Sequence, residues 1–324
     1  MKHPSVKIFM AVSFLSAGMI AIFCVLAASS EKRQQGSSFA APELRKAIRR
    51  IEKLHTKLAR PGSGDWLASH PEEGQTFEEY LKFEPVTPGG KRSTIYFLPI
   101  GKFTRSQEKI LDKTCKFMEV YYRLSVKKLD PVDDDIIPQK AVRCHPSWGM
   151  KQYLSTYILD KVLKPRLPED GLVIFGITAT DLWPGEGWNF VYGQASLRNR
   201  VSVQSICRNG DLDKGKAERL QYLRRTLKTA THEMGHVLSM LHCIKWECNM
   251  CGSNHREESD RHPMWMCPEC VAKLCWAVRC DPVDRYLGLY RFCKREGLEK
   301  VADFYRKSYL VLGGSEQKLE GEVK

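Results

Sequence analysis

Two histidines, His232 and His236, stand four residues apart in the stretch Thr231-His232-Glu233-Met234-Gly235-His236. On an α-helix, at about 100° per residue, that spacing leaves the imidazoles about 40° apart on one face, a two-point grip for a zinc ion. Glu233 follows the first imidazole directly, where a carboxylate could hold a water against the metal and take its proton. A third imidazole, His242, comes six residues after His236. On a continuing helix it would turn through about 240° and face away, so the spacing predicts a helix that stops between 236 and 242. Three neutral imidazoles leave a cation strongly Lewis acidic and one coordination position open, an arrangement suited to hydrolysis.

A second set of metal donors begins at the next residue. Of the twelve cysteines, seven fall between Cys243 and Cys280, a clustering that favours metal ligation over scattered disulfides. Cys267-Pro268-Glu269-Cys270 is a tight thiolate knuckle, and Cys243 with Cys248 offers two more sulfurs. Four thiolates close a zinc site and make it structural, whereas three imidazoles keep one open and catalytic. The chain is thus expected to hold two Zn2+ ions, one of each kind. Cys251 lies close enough to the knuckle to be an alternative ligand, while Cys275, Cys280 and Cys293 read as ordinary core thiols. His255 and His262 read as surface or supporting groups, and Asn254 as a residue that holds loop geometry.

These donors need a scaffold. With 324 residues, 43% hydrophobic and 27% charged, the chain has room for a well-developed core. The net charge of +13 is scattered in short pieces such as Lys127-Lys128 and Arg224-Arg225, which reads as a solvated surface; no nucleic-acid partner is expected. There is no phosphate-binding loop, dinucleotide fingerprint or internal repeat. The stripe Leu220, Leu223, Leu227 and Ala230 predicts a core helix that delivers His232. Strands are expected at 93–100, 172–177 and 188–197, with 201–204 completing a hairpin. Helices are expected at 42–58, around 77–83, from Ser106 to Leu124, and at 153–163, 283–293 and 298–312. Residues 8–28 form an apolar run long enough to span a bilayer, either an anchor or, with Leu26-Ala27-Ala28-Ser29, a cleaved signal. Membrane association through 8–28 and a secreted or cytosolic location are the alternatives for where the protein resides.

The combination H-E-x-x-H-x-x-x-x-x-H, an immediate cysteine, the step Cys248-Asn249-Met250 and a distal C-P-x-C resembles the archaemetzincins, zinc metalloproteases of the metzincin group. Gly252-Ser253-Asn254-His255, Glu258-Ser259-Asp260-Arg261, the 188–197 segment and Asp65-Trp66 with Ser69-His70-Pro71 extend the resemblance over most of residues 60–290. The resemblance implies a catalytic zinc on His232, His236 and His242, a structural zinc on Cys243, Cys248, Cys267 and Cys270, and Glu233 as general base. It further implies Met250 as a hydrophobic floor, 192–197 as an edge that a peptide joins, and a peptide or protein substrate cleaved by a metallopeptidase, possibly an aminopeptidase. Related enzymes carry glycine where Ser239 stands; a serine in a left-handed backbone costs about 1–2 kcal/mol, and a distorted third ligand would leave a zinc-stabilised binding module without hydrolysis. The expected fold is α/β (α+β), a mixed twisted sheet with an active-site helix and a smaller cysteine-rich C-terminal part. The expected divisions are 1–30 (hydrophobic segment), 31–90 (helical and linker region), 91–242 (catalytic), 243–312 (cysteine-rich) and 313–324 (loose tail).

Overall fold

The computed structural model describes residues 41–320, so the apolar run at 8–28 lies outside the described residues. Among the described residues no helix is long and apolar enough to cross a membrane. The strands are β1 (Thr94–Ile100), β2 (Val126–Lys128), β3 (Val142–Cys144), β4 (Lys151–Leu154), β5 (Gly171–Thr178), β6 (Asp181–Trp183), β7 (Gly193–Ala195) and β8 (Val201–Ser205). The helices are α1 (Ala41–Arg49), α2 (Trp66–Ser69), α3 (Phe77–Lys82), α4 (Arg105–Tyr122), α5 (Ser155–Tyr157), α6 (Lys216–Val237), α7 (Arg256–Arg261), α8 (Pro268–Val278), α9 (Pro282–Arg295), α10 (Glu299–Val311) and α11 (Glu316–Glu320).

Five strands form one mixed sheet in the order β2-β1-β5-β8-β7. β1 and β5 lie in its middle and are buried at every residue, which is why their sequences run apolar without alternation. Tyr96, Leu98, Ile100, Ile174, Val201 and Val203 pack on Ile158, Leu159, Val162 and Leu163 on one face. By the two-residue period, Ile95, Phe97, Val173 and Phe175 turn to the opposite face. There Phe97 and Phe175 stack at 5.6 Å. β7 alone in this sheet runs antiparallel, paired with β8, and forms the edge beside α6. The second sheet is small, in the order β3-β4-β6. The expected mixed α/β architecture is the one the chain adopts.

Several boundaries differ from expectation for local reasons. The first helix stops at Arg49, and a short 3-10 turn, Glu52–Leu54, follows in place of helix to 58. α4 starts earlier than Ser106, because Thr104 caps it: its hydroxyl accepts from Gln107 N, and the Gln107 side-chain oxygen accepts from Thr104 N. The 153–163 segment begins as strand β4, then passes through α5 into a π-helical stretch, Ile158–Leu163. Most of 188–197 is irregular. Arg143 donates to the carbonyls of Trp188 and Asn189, and Gln152 to that of Asn189, occupying acceptors that a strand ladder would need. At the other end α11, with Leu319 buried, stands within the stretch expected to be loose.

Candidate metal centre and catalytic cleft

α6 buries Leu223, Leu227, Ala230, Met234 and Val237 and so presents His232, Glu233 and His236 to the cleft beside β7. It ends at Val237 as the spacing requires. Ser239 N donates to His236 O (2.8 Å) and Met240 N to Gly235 O (3.1 Å), the paired bonds of a Schellman ending with its left-handed residue at Ser239, φ 65°. The serine side chain is tied on both sides: its hydroxyl donates to Leu197 O (2.8 Å) and accepts from Val86 N (3.1 Å). The bend therefore forms with serine, and it brings His242 beside His232 and His236.

The ring nitrogens of His232, His236 and His242 lie within 4.8 Å of one another, and the Nε2 atoms of His232 and His236 are 3.0 Å apart. Tetrahedral Zn–N bonds of about 2.0–2.1 Å place ligand nitrogens about 3.3 Å apart, so the set fits a zinc ion. Each ring is held at Nδ1: His232 by Asn249 O (2.7 Å), His236 by Met240 O (2.7 Å), His242 by the Glu72 carboxylate (2.9 and 3.0 Å). With Nδ1–H donating, each Nε2 lone pair is free to coordinate. Burial, with the neighbouring imidazoles, holds His232 far below the usual histidine range and His236 at about 3, so both are neutral donors near neutral pH.

Glu233 is buried against the edge strand, and burial pushes its carboxyl up to about 8. A Cβ on Gly193 would sit 2.6 Å from Glu233 Cγ and 2.7 Å from Oε1, so β7 must be bare at this point. The same logic places the floor. A Cβ on Gly235 would meet Met250 Sδ at 2.4 Å, which puts the fully buried Met250 directly against the helix that bears the histidines.

The four sulfurs of Cys243, Cys248, Cys267 and Cys270 also lie within 4.8 Å of one another, with Cys243 and Cys267 3.7 Å apart. Zn–S bonds of about 2.3 Å place tetrahedral sulfurs about 3.8 Å apart, so this set too fits zinc. Backbone N–H groups of Met250 and Cys267 donate to Cys248 Sγ (3.4 and 3.1 Å), as they would to a thiolate. Hydrogen bonding from the neighbouring thiols draws Cys243 well below the usual thiol range, while burial raises Cys248 and Cys267. Cys251 stays outside the quartet and donates to Trp246 O at 3.2 Å. His262 is buried and paired with Glu247 at 2.8 Å, and His255 caps α7. The Asn254 side-chain amide ties its loop to Gly64 O and Ser69 Oγ (both 3.3 Å).

The cleft has a volume of about 1230 Å³ and runs along β7, with Trp66, His70 and Trp188 on its wall. The three rings are nearly parallel, Trp66 and His70 at 4.0 Å and His70 and Trp188 at 5.4 Å. Sequence reasoning missed Glu72 as a partner of the site. It directly follows the Ser69-His70-Pro71 motif, but nothing local reveals that it meets a histidine 170 residues away.

A pocket of this kind, lined by His232, Glu233, His236 and His242, suits water-dependent cleavage of an amide. The sequence description of Peptidase family M54 matches residues 93–275. Archaemetzincin-2 of Macaca fascicularis is 35% identical over 317 residues, 87% of this chain and 86% of that protein. Human archaemetzincin-2 is 34% identical, with the same coverage. The solved archaemetzincin of Methanopyrus kandleri aligns at a TM-score of 0.47 and 25% identity, over 60% of this chain and 99% of its own. The chain belongs to the archaemetzincin family.

Proposed function

We propose that the peptidase works with two zinc ions, a catalytic one on His232, His236 and His242 and a structural one on Cys243, Cys248, Cys267 and Cys270, and that it trims peptides from their amino end. The observation that carries the reading is the convergence of three imidazole nitrogens within 4.8 Å, each ring held at its other nitrogen. Zinc bound there supplies Lewis acidity toward a substrate carbonyl and toward water. Glu233 takes a proton from water at its carboxylate and gives it to the leaving amine. β7 lies at a sheet edge, where an extended peptide can add by main-chain hydrogen bonds and be aligned with Glu233. Glu73 lines the same cleft and offers a carboxylate to a free α-amine.

The experiment compares paired peptides with free and acetylated N-termini, on wild type and on Glu233→Ala. Loss of cleavage by about 100-fold or more in Glu233→Ala, at unchanged zinc per chain, supports the base assignment; equal cleavage by both proteins overturns it. Preference for the free amine supports aminopeptidase action, and equal or better cleavage of acetylated peptides makes the enzyme an endopeptidase.

A further inference from the structure

The stretch from Trp66 to Val86 precedes residue 93, where the match to Peptidase family M54 begins, yet it grips the bend after α6 almost residue by residue. Tyr80 Oη donates to Leu238 O (2.8 Å), Val86 N to Ser239 Oγ (3.1 Å) and Leu241 N to Gln75 Oε1 (3.3 Å). One contact in this set differs in kind. His232 and His236 rest their Nδ1 atoms on neutral backbone carbonyls, whereas His242 rests its own on both oxygens of an acid, Glu72. That acid is itself aimed: the Trp66 indole N–H donates to Oε1 at 2.9 Å, and Trp66 N is fixed by Glu258 Oε1 at 2.9 Å. The Trp66 ring stands edge-on to His242, centroids 5.4 Å apart at 85°.

We infer that Glu72 is a positioning residue for the third zinc ligand: its carboxylate accepts the Nδ1–H of His242, fixes that tautomer, and makes Nε2 a stronger donor to the cation shared with His232 and His236. A carboxylate behind an imidazole raises its basicity and lowers the entropy lost when the ring is captured by metal. The inference rests on the proposed three-histidine zinc site.

The test is metal affinity, read on the whole chain by competition with a chromophoric chelator. Cobalt(II) loading reports the two sites separately, since sulfur ligands alone give thiolate charge-transfer absorption. Glu72→Gln keeps the size of the side chain and removes its charge. Its histidine-site zinc dissociation constant is expected to rise by about 10–100-fold, with the thiolate cobalt bands unchanged. A constant within about threefold of wild type overturns the inference. His242→Ala separates the two layers. If it too leaves the affinity unchanged, the ligand assignment fails; if it weakens binding while Glu72→Gln does not, only the role of Glu72 fails. Should Glu72→Gln not fold, Trp66→Phe removes the indole donor that aims the carboxylate. A several-fold weakening there supports the role, and none overturns it.

Discussion

Ser239 sets two energies against each other. Its left-handed backbone costs about 1–2 kcal/mol relative to glycine. Its hydroxyl makes two hydrogen bonds in a fully buried position, to Leu197 O and from Val86 N, worth about 1 kcal/mol each. The terms nearly cancel, so Ser239→Gly is expected to unfold in urea within about 1 kcal/mol of wild type. Ser239→Ala keeps the strain and loses both bonds, and is expected to be less stable by about 2 kcal/mol. A gain of about 1–2 kcal/mol in the glycine variant, the full backbone strain, would show that the hydroxyl contributes nothing. At Gly193 the sign is unambiguous, because an added methyl would stand 2.6 Å from Glu233 Cγ. Gly193→Ala should lower kcat/KM by up to about 100-fold, the size of effect that a displacement of about 1 Å can have on a reacting group, with little change in circular dichroism.

Among the elements, α6 and its stop were legible because several signals agree on them: an apolar stripe, two histidines on one face and a third that demands a turn. β1 and β5 were legible as short, β-branched apolar runs. β2, β3, β4 and β6 were not, since three or four residues carry no period and their pairing is decided by distant partners. The 188–197 segment misled because its aromatic residues face a cleft rather than a ladder. The metal donors could be named from spacing, whereas the brace from Glu72 to Val86 is a set of contacts far apart in sequence. Tyr80 tests that brace as a unit. It is fully buried, and its hydroxyl caps a carbonyl that the end of α6 leaves free. Tyr80→Phe leaves Leu238 O without that donor and should cost about 1–3 kcal/mol in chemical denaturation. Wild-type stability in the phenylalanine variant would mean that the bend does not need the Tyr80 hydroxyl.

Over the whole molecule, His55 marks where three separate parts of the chain meet. It follows the 3-10 turn Glu52–Leu54, and its ring stands edge-on to Trp246 of the cysteine loop (6.1 Å, 72°) and to Phe304 of α10 (5.1 Å, 80°). Both ring nitrogens are buried without a hydrogen-bond partner. Burial lowers the imidazole to about 4, against a smaller upward pull from Cys243. An unfolded chain protonates this histidine near 6.5, so between about 6.5 and 4 the unfolded state binds a proton that the folded state refuses. The stabilising contribution is complete above about 6.5 and is lost as pH falls through about 4, with an upper bound of about 3 kcal/mol over the window. His55→Phe keeps an aromatic ring between Trp246 and Phe304 and removes the titration. The zinc-loaded variant should therefore lose less stability than wild type between pH 6.5 and 4, measured by urea unfolding at each pH. Zinc per chain is measured at each pH, and the two proteins are compared where both hold the same amount. Parallel curves would assign the acid sensitivity to other groups and leave the junction of the three parts to apolar packing alone.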